Sequence, residues 1–166
     1  IKKDDPARTT IDPEALDKFH YLFKAMKERG LYITIDLYTL RHISVNGSII
    51  SNPNDAKALM LLDESARQNL LEFSKNLLLP VNPYTGLALK DDPALTTISI
   101  VNENPLCWLK KRLSPTVKKV YETAFEKWLQ QRGQTYVTGK ERANLEEIFI
   151  AEMHEKSYTE LAAKLA

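Results

Sequence analysis

The sequence predicts an α/β protein whose strands run parallel, and three features of the chain support this fold class. An amphipathic helical pattern is followed, after a single glycine, by a β-rich run at residues 31–38. A second run, at residues 95–101, is almost continuously β-branched and apolar, which is typical of a parallel strand covered on both faces. Between the two runs lies an amphipathic segment long enough for a crossover helix, so the order is that of a parallel βαβ unit.

The first helix is predicted from its two ends as well as from its repeat. Asp12 is a typical N-cap, and a proline and an acidic residue follow it, which suits the first turn of a helix. Gly30 stands where helices commonly end. Between these ends the apolar residues recur at helical spacing, at Leu16, Phe19, Phe23 and Met26. A helix and a strand joined by one residue therefore open the chain.

The rest of the chain continues the alternation of helix and strand. Residues 42–55 carry glycine, proline and asparagine, and we expect a long loop there. The remaining predicted elements are a helix at about 63–79 that packs on the parallel strands, a turn-rich stretch at 80–93, the strand at 95–101, and helices at about 116–132 and 140–165. Three aromatic residues share one face of the helix at 116–132 and are expected to be packing residues: Tyr121, Phe125 and Trp128.

Two strands are too few for an independent sheet. A two-stranded parallel sheet cannot cover both its faces or satisfy both its edges. We therefore expect residues 1–166 to be a single piece of a larger α/β domain, incomplete at both ends. The chain begins with Ile1 and not with Met, which favours a processed or excised piece.

Composition excludes several classes of function. The formal net charge is +1 and no basic or acidic tract occurs, so neither a nucleic acid nor a membrane surface is indicated as a partner. No apolar stretch approaches the roughly 20 residues that are needed to span a bilayer. Cys107 is the only cysteine, and no Cys/His cluster has zinc spacing. The sequence therefore predicts no cofactor.

A polar triplet follows the strand at residues 95–101 directly. Asn102, Glu103 and Asn104 stand at its exit with no glycine between them and the strand. Because ligands of parallel sheets sit at the carboxyl ends of the strands, this triplet is a candidate ligand site. The alternative is that the two asparagines cap the next turn and that Glu103 is solvated.

Two segments carry a resemblance to a known family. LYITIDLYTLR (31–41) and then VNPYTGLALKDDPALTTISIVNENPL (81–106) resemble the third and fourth βα units of clan A glycoside hydrolases, family 5 and its cellulase-like relatives in particular. The resemblance covers about residues 12–166. It implies a (β/α)8 (TIM) barrel, of which this chain would hold the part from about the second helix to the fourth helix.

The resemblance implies roles for the residues of the triplet. Glu103 matches the family's acid/base, which protonates the glycosidic oxygen and then deprotonates the attacking water. Asn102 matches the amide that hydrogen-bonds the 2-hydroxyl of the sugar. Asn104 stands where many relatives have proline. The family's nucleophile is a glutamate at the end of the seventh strand, and no residue of this chain corresponds to it.

Further candidates lie near the same edge, each with an alternative. Tyr38 is a candidate sugar contact, and Asp36 stands beside it at the end of the neighbouring strand, where it could instead pair with Arg41 and steady the loop. Trp108 falls in the fourth βα loop, where an exposed indole would suit stacking on a pyranose face. A core position for Trp108 is equally consistent with the sequence.

The function expected from the resemblance is that of a retaining glycoside hydrolase on β-linked poly- or oligosaccharides. This chain would carry the acid/base but not the nucleophile, so we expect the intact parent to be the enzyme and the isolated chain to be inactive. Its partners would be the carbohydrate substrate and either the rest of the barrel or further copies that associate through open strand edges. The family resemblance favours a secreted or periplasmic protein, although no signal segment is present. The alternative is a non-catalytic α/β interaction or carbohydrate-binding module.

Overall fold

Helices and short strands alternate along the chain in a computed structural model, which describes residues 1–103, 106 and 110–165. The elements of this described part are α1 (Pro13–Lys27), β1 (Ile33–Asp36), β2 (Ile43–Val45), β3 (Ser48–Ile50), α2 (Pro53–Leu62), α3 (Glu64–Leu78), β4 (Leu95–Ser99), α4 (Pro115–Gln130) and α5 (Gly139–Leu165), with short 3-10 turns at Leu89–Asp91 and Lys110–Arg112. None of the described helices is both long and apolar enough to cross a membrane.

The predicted parallel strand pair is confirmed. β1 pairs with β4 in parallel, with Ile35 opposite Ile98 and Asp36 opposite Ser99. The pairing has one irregularity after Ile33, where β4 contributes an extra residue. The protein is thus a mixed α/β fold with a two-stranded parallel sheet, and the described residues form no closed barrel.

The cover of this sheet differs from the prediction. We expected β4 to be buried on both faces, but Thr96, Thr97 and Ile98 are exposed. In β1 the side chains alternate, with Ile33 and Ile35 buried and the intervening residues exposed. One face of the sheet is therefore packed and the other is exposed.

Residues 42–55 are not the loop that we predicted. β2 and β3 form an antiparallel hairpin in which Val45 pairs with Ser48. The two residues between them, Asn46 and Gly47, have φ values of 49° and 79°. Positive φ at both central positions is the requirement of the tight two-residue turn that asparagine followed by glycine favours. The local Asn-Gly signal therefore prevails over the general loop composition.

A second difference follows the hairpin. α2 begins at Pro53 with Asn52 as its N-cap, whose side chain accepts a hydrogen bond from the Asn54 amide at 2.9 Å. Every residue from Asp55 to Leu61 is buried. A helix that is buried all round has no polar face, so the apolar periodicity on which prediction relies is absent.

The remaining helices match their predicted positions. Asp12 caps α1 by accepting the Ala15 amide at 3.0 Å, as expected from the sequence. α3 makes its main contacts with β2, α2 and α5, whereas we predicted that it packs on the parallel strands. The predicted aromatic face of α4 is confirmed: the rings of Tyr121, Phe125 and Trp128 all pack on Phe149 of α5.

Polar contacts also join α4 to α5. Glu122 of α4 pairs with Arg142 of α5, and further along both helices Trp128 bonds Glu152. Val137, in the segment between the two helices, is buried. These two helices and α2, α3 and the hairpin share one apolar core with the packed face of the parallel sheet.

Candidate functional site

The carboxyl ends of the two parallel strands are joined by backbone hydrogen bonds. The Leu37 amide donates to the Ser99 carbonyl at 2.8 Å, and the Asn102 amide donates to the Tyr38 carbonyl at 2.9 Å. The pairing thus continues beyond the strands to the first asparagine of the polar triplet. It brings Asp36, Tyr38, Asn102 and Glu103 to one end of the sheet, as the sequence predicted.

Glu103 has an unusual backbone at this edge. Its φ is 47°, in the left-handed region that side chains other than glycine seldom adopt. Such a conformation costs about 1 to 2 kcal/mol, so the surrounding structure must stabilise it. Its side chain is exposed and so faces solvent at the end of the sheet. Strained residues of this kind concentrate at functional sites, which makes Glu103 the first candidate of this edge.

A buried lysine from α2 supports the Glu103 turn. The Lys57 ammonium donates a hydrogen bond to the Glu103 carbonyl at 3.1 Å. Lys57 itself is only 7% exposed, within the helix that the sequence pattern did not reveal. Sequence analysis therefore missed this residue. The Asn52-Pro53 helix start was the one local signal that could have located α2 and with it Lys57.

The two candidates on β1 differ in accessibility. Asp36 is exposed at the strand end. Tyr38 is 1% exposed, and its hydroxyl donates to the Arg41 carbonyl at 3.0 Å. Burial raises the pKa of Tyr38 to about 12, so the hydroxyl stays protonated and available as a donor to that carbonyl. In this arrangement Asp36 is open to a ligand, whereas the Tyr38 side chain belongs to the core.

The Arg41 side chain is held by polar and aromatic contacts that involve no carboxylate of this edge. Its guanidinium donates to the Asn69 side-chain oxygen at 2.8 Å and to the Arg8 carbonyl at 3.0 Å, and it stacks on Phe73 at 4.3 Å. Burial lowers the pKa of Arg41 to about 10. No ion pair joins Arg41 to Asp36 among the residues that the structure describes, so the alternative reading of a steadying Asp36–Arg41 pair is wrong.

Two candidates lie outside the described residues. These are Asn104, the third member of the polar triplet, and Trp108, the predicted stacking residue. The described edge therefore consists of Asp36, Asn102 and Glu103, supported by Lys57.

The chemistry available at this edge is that of carboxylates and an amide. Such groups accept hydrogen bonds from hydroxyl groups, and an amide also donates them. Within the described part of the chain, no group of three His, Cys, Asp or Glu side chains is placed to hold a metal ion.

Comparisons of the chain with protein-family models, curated proteins and solved structures find no match. A functional assignment therefore depends on the chemistry of this edge.

Proposed function

We propose that this chain is a central segment of a retaining glycoside hydrolase that acts on β-linked poly- or oligosaccharides, with Glu103 as its acid/base. The observation that supports this most is the exposed Glu103 carboxylate, held in a strained backbone at the carboxyl end of a parallel strand. Ligands of parallel α/β sheets bind at this end of the strands. The resemblance of residues 31–41 and 81–106 to two consecutive units of a (β/α)8 barrel points to the same chemistry.

Each residue of the edge has a role in this proposal. Glu103 gives a proton to the glycosidic oxygen as the bond breaks and takes one from water in the second step. Asn102 hydrogen-bonds the sugar's 2-hydroxyl, and Asp36 binds a further hydroxyl beside it. The nucleophile comes from a part of the parent that this chain does not contain, opposite Glu103 across the sugar ring.

A second candidate function, carbohydrate binding without catalysis, is favoured by the exposure of Glu103. An acid/base works best when burial or a neighbouring carboxylate raises its pKa towards neutrality. Glu103 is exposed in this chain, and Asp36, also exposed, would lie on the same side of the sugar. The isolated chain would then bind sugar hydroxyls at this edge without cleaving a glycosidic bond.

The open sheet supports a proposal on assembly. β1 and β4 each have one edge without a strand partner in the described chain, and one face of the pair is exposed. Unpaired strand edges are templates for further strands. In the parent these edges would be covered by the remaining strands of the barrel, and the isolated chain would self-associate through them.

The catalytic proposal is tested in the intact parent by Glu103→Gln, with Glu147→Gln on the exposed surface of α5 as the matched control. Loss of the acid should remove most activity on substrates with poor leaving groups. Aryl glycosides with good leaving groups need little protonation, so their glycosylation step should suffer less. An equal loss on both substrates would mean that Glu103 is structural.

Assays of the isolated chain test whether it contains a nucleophile and where it binds the sugar. With an activated aryl glycoside and a mechanism-based fluorosugar we expect neither turnover nor a covalent mass increment. Either result would show that the chain contains a nucleophile and would refute the proposal that it carries only the acid/base. Titration with β-linked oligosaccharides should give saturable binding that Glu103→Gln weakens and Glu147→Gln does not. Binding that both variants leave unchanged would place the sugar elsewhere.

A further inference from the structure

A cleft of about 230 Å³ lies between the 3-10 turn Lys110–Arg112, α4 and α5. Among the described residues, its walls carry three lysines, an arginine, two glutamates and a tyrosine. None of these residues belongs to the strand-end edge described above. The cleft is therefore a separate candidate site, built from the helical half of the molecule.

The two carboxylates of the cleft are already paired. Arg142 contacts Glu122 at 2.5 Å and Glu146 at 3.1 Å, and Lys110 bonds Glu146 as well. Four positive and two negative side chains of the described part of the chain line the cleft, so two of these positive charges remain uncompensated. These belong to Lys111 and Lys118, which have no ion-pair partner among the described residues.

The tyrosine of the cleft has a buried hydroxyl that needs an acceptor. Tyr121 is 2% exposed, and its hydroxyl has no hydrogen-bond partner in the part of the chain that the structure describes. Burial raises the pKa of Tyr121, and the Glu146 and Glu122 carboxylates raise it further, so the hydroxyl stays protonated. Tyr121 is itself one of the residues that line the cleft. A buried donor without a partner costs free energy that a bound acceptor would recover.

We propose that this cleft binds the phosphate group of a phosphate monoester, or phosphate itself, through the Tyr121 hydroxyl, Lys111 and Lys118. A phosphate group carries about 1.5 to 2 negative charges at pH 7, which suits the two uncompensated lysines better than a singly charged anion does. Its oxygens are strong acceptors, and one of them would satisfy the Tyr121 donor. A carboxylate carries one charge and would leave one lysine unpaired. The paired glutamates hold Arg142 and Lys110 in place as the rigid wall of the site.

The test is a titration of the chain with inorganic phosphate, glucose 6-phosphate, glucose and acetate, followed by NMR or calorimetry. We expect saturable binding of at least one of the two phosphate compounds and none of glucose. Binding of both compounds identifies the phosphate alone as sufficient, and binding of only glucose 6-phosphate identifies an organic phosphate as the ligand. Saturable binding of glucose at the same site, or tighter binding of acetate than of phosphate, would overturn the proposal.

Matched variants distinguish a specific phosphate site from nonspecific attraction of the anion to positive charge. Lys118→Ala should weaken phosphate binding about tenfold, because a hydrogen bond to a charged group is among the stronger ones. Lys119→Ala makes the same change in charge one residue away, on an exposed residue that does not line the cleft, and should change the affinity little. Equal weakening by both variants would show nonspecific attraction and refute the site.

The tyrosine provides a second variant that does not threaten the fold. Tyr121→Phe removes only a hydroxyl that has no partner, so the melting temperature should stay the same or rise. Its phosphate affinity should nevertheless fall severalfold. Tyr136→Phe, at a residue that is 85% exposed, is the control and should bind like the unchanged chain. Unaltered phosphate binding by a folded Tyr121→Phe variant would exclude the hydroxyl from the site.

Discussion

Lys57 of α2 donates a hydrogen bond of 3.1 Å from its ammonium group to the backbone carbonyl of Glu103, which follows β4. The lysine is buried, and the glutamate has a φ of 47°. A buried ammonium is costly unless it is hydrogen-bonded, so this contact stabilises both residues. The orientation of the candidate acid therefore depends on a helix far from it in the sequence.

Lys57→Met tests how much this hydrogen bond contributes to the stability of the fold. The variant keeps the apolar stem but removes the donor, and we expect a loss of about 1 to 3 kcal/mol in the free energy of unfolding. Lys127→Met, on the exposed face of α4, should stay within about 0.5 kcal/mol. Urea denaturation measures both. Equal values for the two variants would mean that the Lys57 contact contributes nothing to the fold.

Asn69→Ala should release the amino-terminal arm, residues 1–12. The Asn69 side chain donates to the Ala7 carbonyl and accepts from the Arg41 guanidinium, so it ties the arm to α3. Its loss leaves both partners short of a hydrogen bond and should cost about 1 to 3 kcal/mol. Limited trypsin digestion should then cleave faster after Arg8. Gln68→Ala, at the neighbouring position of the same helix, should leave that cleavage rate unchanged. Faster cleavage in both variants would disprove that Asn69 holds the arm.

The arm should also loosen in acid. Backbone amides of Thr10, Thr9 and Ala7 donate to the Asp5 carboxylate and hold its pKa at about 2, below its ordinary value of 3.8. Because the folded pKa is the lower one, the stabilisation is complete above pH 4 and is lost as the pH falls towards 2. The Thr10 amide shift, followed by NMR, should titrate in that range.

Asp5→Asn should abolish that titration, whereas Asp4→Asn, at an exposed neighbour, should preserve it. A Thr10 amide that titrates equally in both variants would assign the effect to another group.

Phe149→Ala should be the most damaging of these substitutions. The ring is 1% exposed and lies 5.4 to 5.8 Å, between ring centroids, from the three aromatic residues of α4. Truncation leaves a cavity in the core, and we expect a loss of about 3 to 5 kcal/mol. Ile148→Ala changes an adjacent side chain that is 49% exposed and should cost about 1 kcal/mol or less. Chemical denaturation of the two variants gives the comparison, and similar losses would contradict the packing described.

The parallel strands could be predicted because their signals are local. The apolar runs at 31–38 and 95–101 marked the strands, and the intervening chain is long enough to return the second strand in parallel. The hairpin carried an equally local signal in Asn46-Gly47, which the general loop composition of residues 42–55 obscured. α2 offered only its capping residues, because burial on all sides removes the polar face that sequence reasoning uses.

The candidate site was predictable only in its position. Asn102 and Glu103 follow from the rule that places ligands at strand ends, and the backbone bond from Asn102 to Tyr38 agrees with it. The support from Lys57 comes from 46 positions away in the chain. The hydrogen bonds of Arg41 likewise join distant segments, since they reach Asn69 of α3 and the Arg8 carbonyl of the amino-terminal arm. Such contacts depend on tertiary packing, and no local pattern of one sequence specifies them.

The parallel pairing should form later in folding than the hairpin. Thr96 and Ile33, which are bonded across the pair, are 63 positions apart, whereas the β2–β3 hairpin closes over two residues. Closing the longer loop costs more chain entropy, and non-local pairing is the slow part of folding. The β2–β3 hairpin should therefore form within microseconds, and the pairing of β1 with β4 should form later. The strand-end edge that presents Glu103 is completed only once that pairing has formed.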